Sequence, residues 1–81
     1  MLAVNNPKPL DLGEQPLARI MVERGFRSHD LVSASTEQIT HKMVSRGCKG
    51  RRLTRPVQGK LLRALNAASG HVYTLKDLFT Y

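Results

Sequence analysis

The sequence has no tryptophan, two tyrosines and two phenylalanines, so a core of stacked aromatic rings is excluded. It has one cysteine, Cys48, which rules out an internal disulfide framework and suits a reducing compartment. His41 falls seven residues from Cys48 on a possible helix, but with no second cysteine and the other histidines remote, no zinc site is expected. Long apolar runs are also missing. The N-terminal stretch MLAVNNPKPLDLGEQ has three consecutive apolar residues after Met1, too few for a signal-peptide core, and no other run reaches membrane-spanning length. A soluble, cytoplasmic chain without a membrane partner is therefore expected. Acids are scarce: six in 81 residues, scattered, and none between Glu37 and Asp77. No carboxylate pair stands ready for acid–base work, so neither an enzyme nor a cofactor is expected. Period-two alternation is absent, which argues against β-sheet.

What the chain does hold is positive charge. Thirteen Lys and Arg against the six acids give a net charge of +7. The densest stretch runs from Thr40 to Arg55, THKMVSRGCKGRRLTR. It carries Lys42, Arg46, Lys49, Arg51, Arg52 and Arg55, plus His41 when protonated. So one-sided a surface repels itself unless an anion sits opposite it, and for a small domain the commonest such anion is a nucleic-acid backbone. A merely solvated basic face is the plainer alternative.

Eighty-one residues make one domain, for which short helices packed by local contacts are the economical solution. Residues 1–13 hold two prolines, two asparagines and a glycine without periodicity and read as a mobile tail; residues 14–81 read as the domain. Pro16 suits the first turn of a helix with Leu17, Ile20, Met21 and Val22 as its apolar stripe, closed by Gly25. Ser28 is a candidate N-cap for a short second helix, SHDLVSA, with Leu31, Val32 and Ala34 inward. A third helix spans His41 to about Arg46. Its start is either Ser35, in a capping box with Gln38, or Thr40, and Gly47 and Gly50 bracket its end. Thr54 and Pro56 open the fourth helix, whose Val57, Leu61, Leu62, Leu65 and Ala68 recur at helical spacing before Gly70. Thr74 and Asp77 box the start of a fifth, TLKDLF, with Leu75, Leu78 and Phe79 closing the core. The fold class expected is all-α, a compact bundle of about five short helices with the second and third separated by a few residues.

These segments resemble the lambda-repressor-like (Cro and Xre type) helix-turn-helix family. Gly25-Phe26-Arg27-Ser28-His29-Asp30-Leu31-Val32 is similar to the opening of that family's second helix, with the serine one place later. Ile39-Thr40 and Lys49-Gly50-Arg51-Arg52-Leu53-Thr54 are similar to the two ends of its third helix. Leu61 to Leu65 and then Thr74 to Phe79 resemble its close. The likeness covers residues 16–79 and departs from the family at three places. Gly25 to Gly50 is about two residues too long, Val32 replaces a small residue, and Ser69 to Tyr73 extend the last loop.

The resemblance implies sequence-specific binding of double-stranded DNA by a small prokaryotic or phage-type transcriptional regulator, with the third helix in the major groove. His41, Lys42, Ser45 and Arg46 then face base edges. Lys42 or Arg46 would donate to guanine, and Ser45 would bond either way. Lys49, Arg51, Arg52 and Arg55 would grip phosphates, as would Ser28 and His29 at the start of the second helix. In the family a glutamine commonly stands where His29 does. For each base-facing residue a phosphate or solvent contact is the alternative, and His41 reads more readily as a surface residue than as a reader. A homodimer through Phe79 and Tyr81 is a further expectation, against core closure by Phe79 and a frayed Tyr81.

Competing functions remain on the sequence alone. One is a protein-interaction module, an antitoxin or adaptor docking an acidic partner through the basic face. Another is RNA binding, for which Gly47-Cys48-Lys49-Gly50 matches the GxxG loop of KH domains, although that fold needs strands. Cys48 reads as an inert thiol, with a pKa lowered by its basic neighbours if it is exposed.

Overall fold

Proline has no N–H to lose at a helix start, and α1 (Pro16–Arg24) begins on Pro16. The computed structural model describes residues 12–81; the tail expected before them lies, for residues 1–11, outside the described residues. Four more helices follow: α2 (Ser28–Ala34), α3 (His41–Lys49), α4 (Arg55–Ser69) and α5 (Leu75–Leu78). No β-strand occurs among the described residues.

In α1, Leu17 and Met21 are buried, whereas Val22 is 79% exposed and does not belong to the stripe. α2 starts one residue earlier than its serine suggests. Arg27 is the extended residue before the helix, and its backbone N–H donates to Asp30 Oδ2 at 2.7 Å. Ser28 is thus the first helical residue rather than the N-cap. The Asp30 carboxylate, placed in the first turn, also suits the positive end of the helix.

The start of α3 is settled by competition between two hydroxyls. Ser35 Oγ is engaged in its own turn, accepting from the Glu37 N–H at 3.0 Å and donating to the Glu37 carbonyl at 2.9 Å. Thr40 Oγ1 accepts from the Met43 N–H at 3.1 Å and is the cap, an interaction contributing about 1 kcal/mol. α3 then runs past Arg46 and through Gly47 to Lys49. Gly47 is no terminator. It is buried in the helix, and a Cβ there would lie 3.0 Å from Leu61 Cδ1 and 3.4 Å from methyls of Leu17 and Leu53. Its bare backbone lets α3 seat closely on its neighbours, which fixes the opposite face of α3 toward solvent. Gly50 ends the helix at φ 93°, and the Arg51 N–H closes back on the Arg46 carbonyl at 3.0 Å.

α4 packs against α2, α3 and α5, while α1 packs against α3 and α5, and α2 against α3. The core is Leu17, Met21, Leu31, Ile39, Val44, Leu61, Ala64, Leu65, Leu78 and Phe79. Each fully buried leucine among them contributes about 1.5–3 kcal/mol of transfer free energy.

The two ends of the described chain meet at α3. The Leu12 N–H donates to the Gly50 carbonyl at 2.8 Å and the Gln15 N–H to the Cys48 carbonyl at 2.9 Å, so residues 12–15 run along the end of that helix. Gln15 is almost wholly buried. Its Nε2 donates to the Gly13 carbonyl at 2.9 Å, and its Oε1 accepts from the Thr80 N–H at 2.7 Å and from Thr80 Oγ1 at 3.0 Å. Beyond α5, Phe79 lies in the core, so it is not an exposed apolar contact for a second subunit. Tyr81 is not frayed: its hydroxyl accepts from the Leu53 N–H at 3.2 Å and donates to the Arg51 carbonyl at 3.3 Å.

Candidate nucleic-acid interface

With Val44 and Gly47 buried and Met43 and Cys48 half-buried, α3 has one side against the core. Its other side carries His41, Ser45 and Lys49 at i, i+4, i+8, and Lys42 and Arg46 at i, i+4, two adjoining rows of one face. These five side chains and Arg51 line one open concavity of about 490 Å³. All four residues expected to face bases are there, with two of those expected to hold phosphates.

The rest are placed around it. His29, exposed on α2, has its ring 6.4 Å from that of His41 and its Nε2 3.3 Å from Ser33 Oγ. Ser28 sits half-buried beside it at the head of α2. Arg52 does not line the concavity; its guanidinium lies 5.9 Å from the centre of the Tyr81 ring. Arg55 stands exposed at the first position of α4, also outside the concavity.

The helix dipole divides the charges of α3. It has no acid in its first turn, yet Lys42 is there, near the positive end of the helix dipole, which costs about 0.3–1 kcal/mol. Arg46 and Lys49, in the last turn, are favourably placed. The nearest acid in sequence, Glu37, is engaged elsewhere: Arg63 Nε and Nη2 donate to its two oxygens at 2.6 and 2.8 Å. That hydrogen-bonded pair holds the Glu37 carboxyl below its ordinary pKa, against an opposing effect of burial, with the charges of Arg63 and Lys60 helping. Its stabilisation is therefore present above the ordinary carboxylate range and is lost as acid protonates Glu37. It also removes Arg63 from the free basic surface and ties the loop before α3 to α4. Sequence reading missed this pair because its partners are 26 residues apart.

Cys48 faces the other way, its Sγ 3.6 Å from Met21 Sδ. Burial pushes the thiol up to about 11, with Glu14 adding to the rise, the reverse of the lowering expected for an exposed thiol. The expected consequence is an unreactive thiol. Iodoacetamide at about pH 8 should alkylate the native protein at least about 100-fold more slowly than the urea-unfolded chain, since the thiolate fraction falls by that order. Equal rates, followed by mass spectrometry, would refute the burial. Because the folded-state pKa is raised, this group stabilises the fold below the ordinary thiol range and ceases to do so as pH climbs through about 11.

The KH-like reading is overturned by geometry. Gly47, Cys48 and Lys49 are helical, so no glycine-bounded loop exists there, and the strands of that fold are missing among the described residues. A second depression, of about 380 Å³, is lined by Glu14, Gln15, Pro16, Arg19 and Thr80 and mixes both charge signs. No helix among the described residues is long and apolar enough to cross a membrane, and no three His, Cys, Asp or Glu side chains there converge as a metal site would need. Compared with protein-family models, with curated proteins and with solved structures, the chain finds no match.

Proposed function

We propose that the chain is a helix-turn-helix domain that binds double-stranded DNA in a sequence-specific way, as a small transcriptional regulator, with α3 in the major groove. The observation that carries the reading is the acid-free exposed face of α3, where His41, Lys42, Ser45, Arg46 and Lys49 converge with Arg51 on one concavity. An α-helix about 10–12 Å across with its side chains suits a groove about 12 Å wide. The packing of α2 on α3 and of both on α4 leaves that face clear of the core. Lys42, Ser45 and Arg46 are the base-facing residues, with His41 at the edge. Lys49, Arg51, Arg52 and Arg55 meet phosphates on one flank; His29, with Ser28, meets one on the other.

The test is fluorescence anisotropy on labelled duplexes over a range of salt. About four to six phosphate contacts predict that log K falls against log salt with a slope of about −4 to −5, and that some sequences bind more tightly than the generic background. If no duplex binds at about 50 mM salt, the proposal fails. A structured RNA that outcompetes every duplex would reassign the face to RNA. Binding only to acidic proteins would reassign it to an interaction module. If two copies bind a two-fold site, they need contacts other than Phe79, which the core already uses.

A further inference from the structure

The base-facing side of α3 is rich in donors and poor in acceptors. Lysine and arginine only donate, and α3, HKMVSRGCK, has no Asn, Gln, Asp or Glu. Among the described residues neither Lys42 nor Arg46 makes a side-chain hydrogen bond or ion pair, whereas Arg63 is held by Glu37 and Arg24 donates to Tyr73. The donors of Lys42 and Arg46 are therefore unspent. In the major groove adenine offers an acceptor beside a donor, which an amide side chain answers, and the cytosine edge offers a donor, which a carboxylate answers. Guanine offers two acceptors, N7 and O6, and is the base that a donor-only side chain fits.

Resting on the reading of α3 as the groove helix, we propose that the target site carries guanine at two positions, one read by Lys42 and one by Arg46. Four residues of helix rise about 6 Å, close to two base steps of about 3.4 Å along a strand. The two guanines accordingly lie one to two steps apart. Ser45, on the same face between them, has one hydroxyl that donates or accepts and tolerates either partner.

The experiment is selection of bound duplexes from a random pool with the full chain. 7-Deazaguanine, which lacks the N7 acceptor, is then placed singly at each guanine of the selected site. Two substitutions should each weaken binding about 5- to 100-fold, and the others little. Arg46→Ala should make the protein indifferent to one of the two substitutions and Lys42→Ala to the other, with circular dichroism showing each variant folded. Selected sites made only of A·T pairs, or 7-deaza substitutions without effect on a duplex that does bind, overturn the guanine assignment and leave DNA binding standing. Selection that enriches no duplex overturns both.

Discussion

Gly50→Ala should destabilise the protein by about 3–5 kcal/mol, a large part of the total stability of a domain this size. Two independent effects add. At φ 93° the backbone is in a region that costs a side-chain-bearing residue about 1–2 kcal/mol. The new Cβ would also run into the Gly13 carbonyl oxygen, and would lie 2.6 Å from Gly13 N and 2.7 Å from its carbonyl carbon. That obstacle is backbone and cannot rotate away, so residues 12–15 must leave the end of α3. Gly70→Ala is the control: its φ is 73°, with nothing within 4 Å of the position a Cβ would take. It should lose about 1–2 kcal/mol. Urea denaturation of both variants separates the effects; equal midpoints would refute the close contact at Gly50.

Arg46→Glu should reduce affinity for the selected duplex at least about 100-fold while leaving the folded structure intact. The loss combines a missing base contact, worth about 1–3 kcal/mol, with a carboxylate brought against phosphates. Because Arg46 is exposed and without a hydrogen-bonded partner among the described residues, little native structure depends on it. Arg19→Glu changes the net charge by the same amount from the other depression. At about 0.15 M salt the screening length is about 8 Å, so that variant should lose only a few-fold. Equal losses in the two variants would mean that bulk charge, and not the α3 face, carries binding.

Much of this architecture was legible in the chain because helix ends are written locally. Pro16, Gly25, Gly50, Gly70 and the Thr74–Asp77 pair act within four residues of themselves, and each does what its chemistry suggests. The same locality explains the face of α3: once Val44 is inside, the period of the helix places Lys42, Ser45 and Arg46 outside. The choice between Thr40 and Ser35 was not legible, since it depends on whether Ser35 folds back on Glu37. Nor was Gly47, whose place inside a helix follows from how closely Leu61 and Leu17 approach. Pairing of Glu37 with Arg63, burial of Phe79 and attachment of Tyr81 are all tertiary facts. They join residues too distant in sequence for any spacing rule to see.

The hydrogen bonds from Thr80 to Gln15 close a separation of 65 residues. Helix pairs near in sequence can dock first, whereas closure of so long a loop has its entropic cost before any reward. Gln15 and Thr80 therefore meet late, after the folding barrier, and their contact acts as a latch on the native state. Gln15→Ala should accordingly raise the unfolding rate and leave the refolding rate nearly unchanged in stopped-flow experiments. A slowed refolding limb would place the latch in the nucleus instead. The lifetime of the α3 surface, as distinct from its equilibrium stability, then rests on one buried amide that lies outside α3 itself.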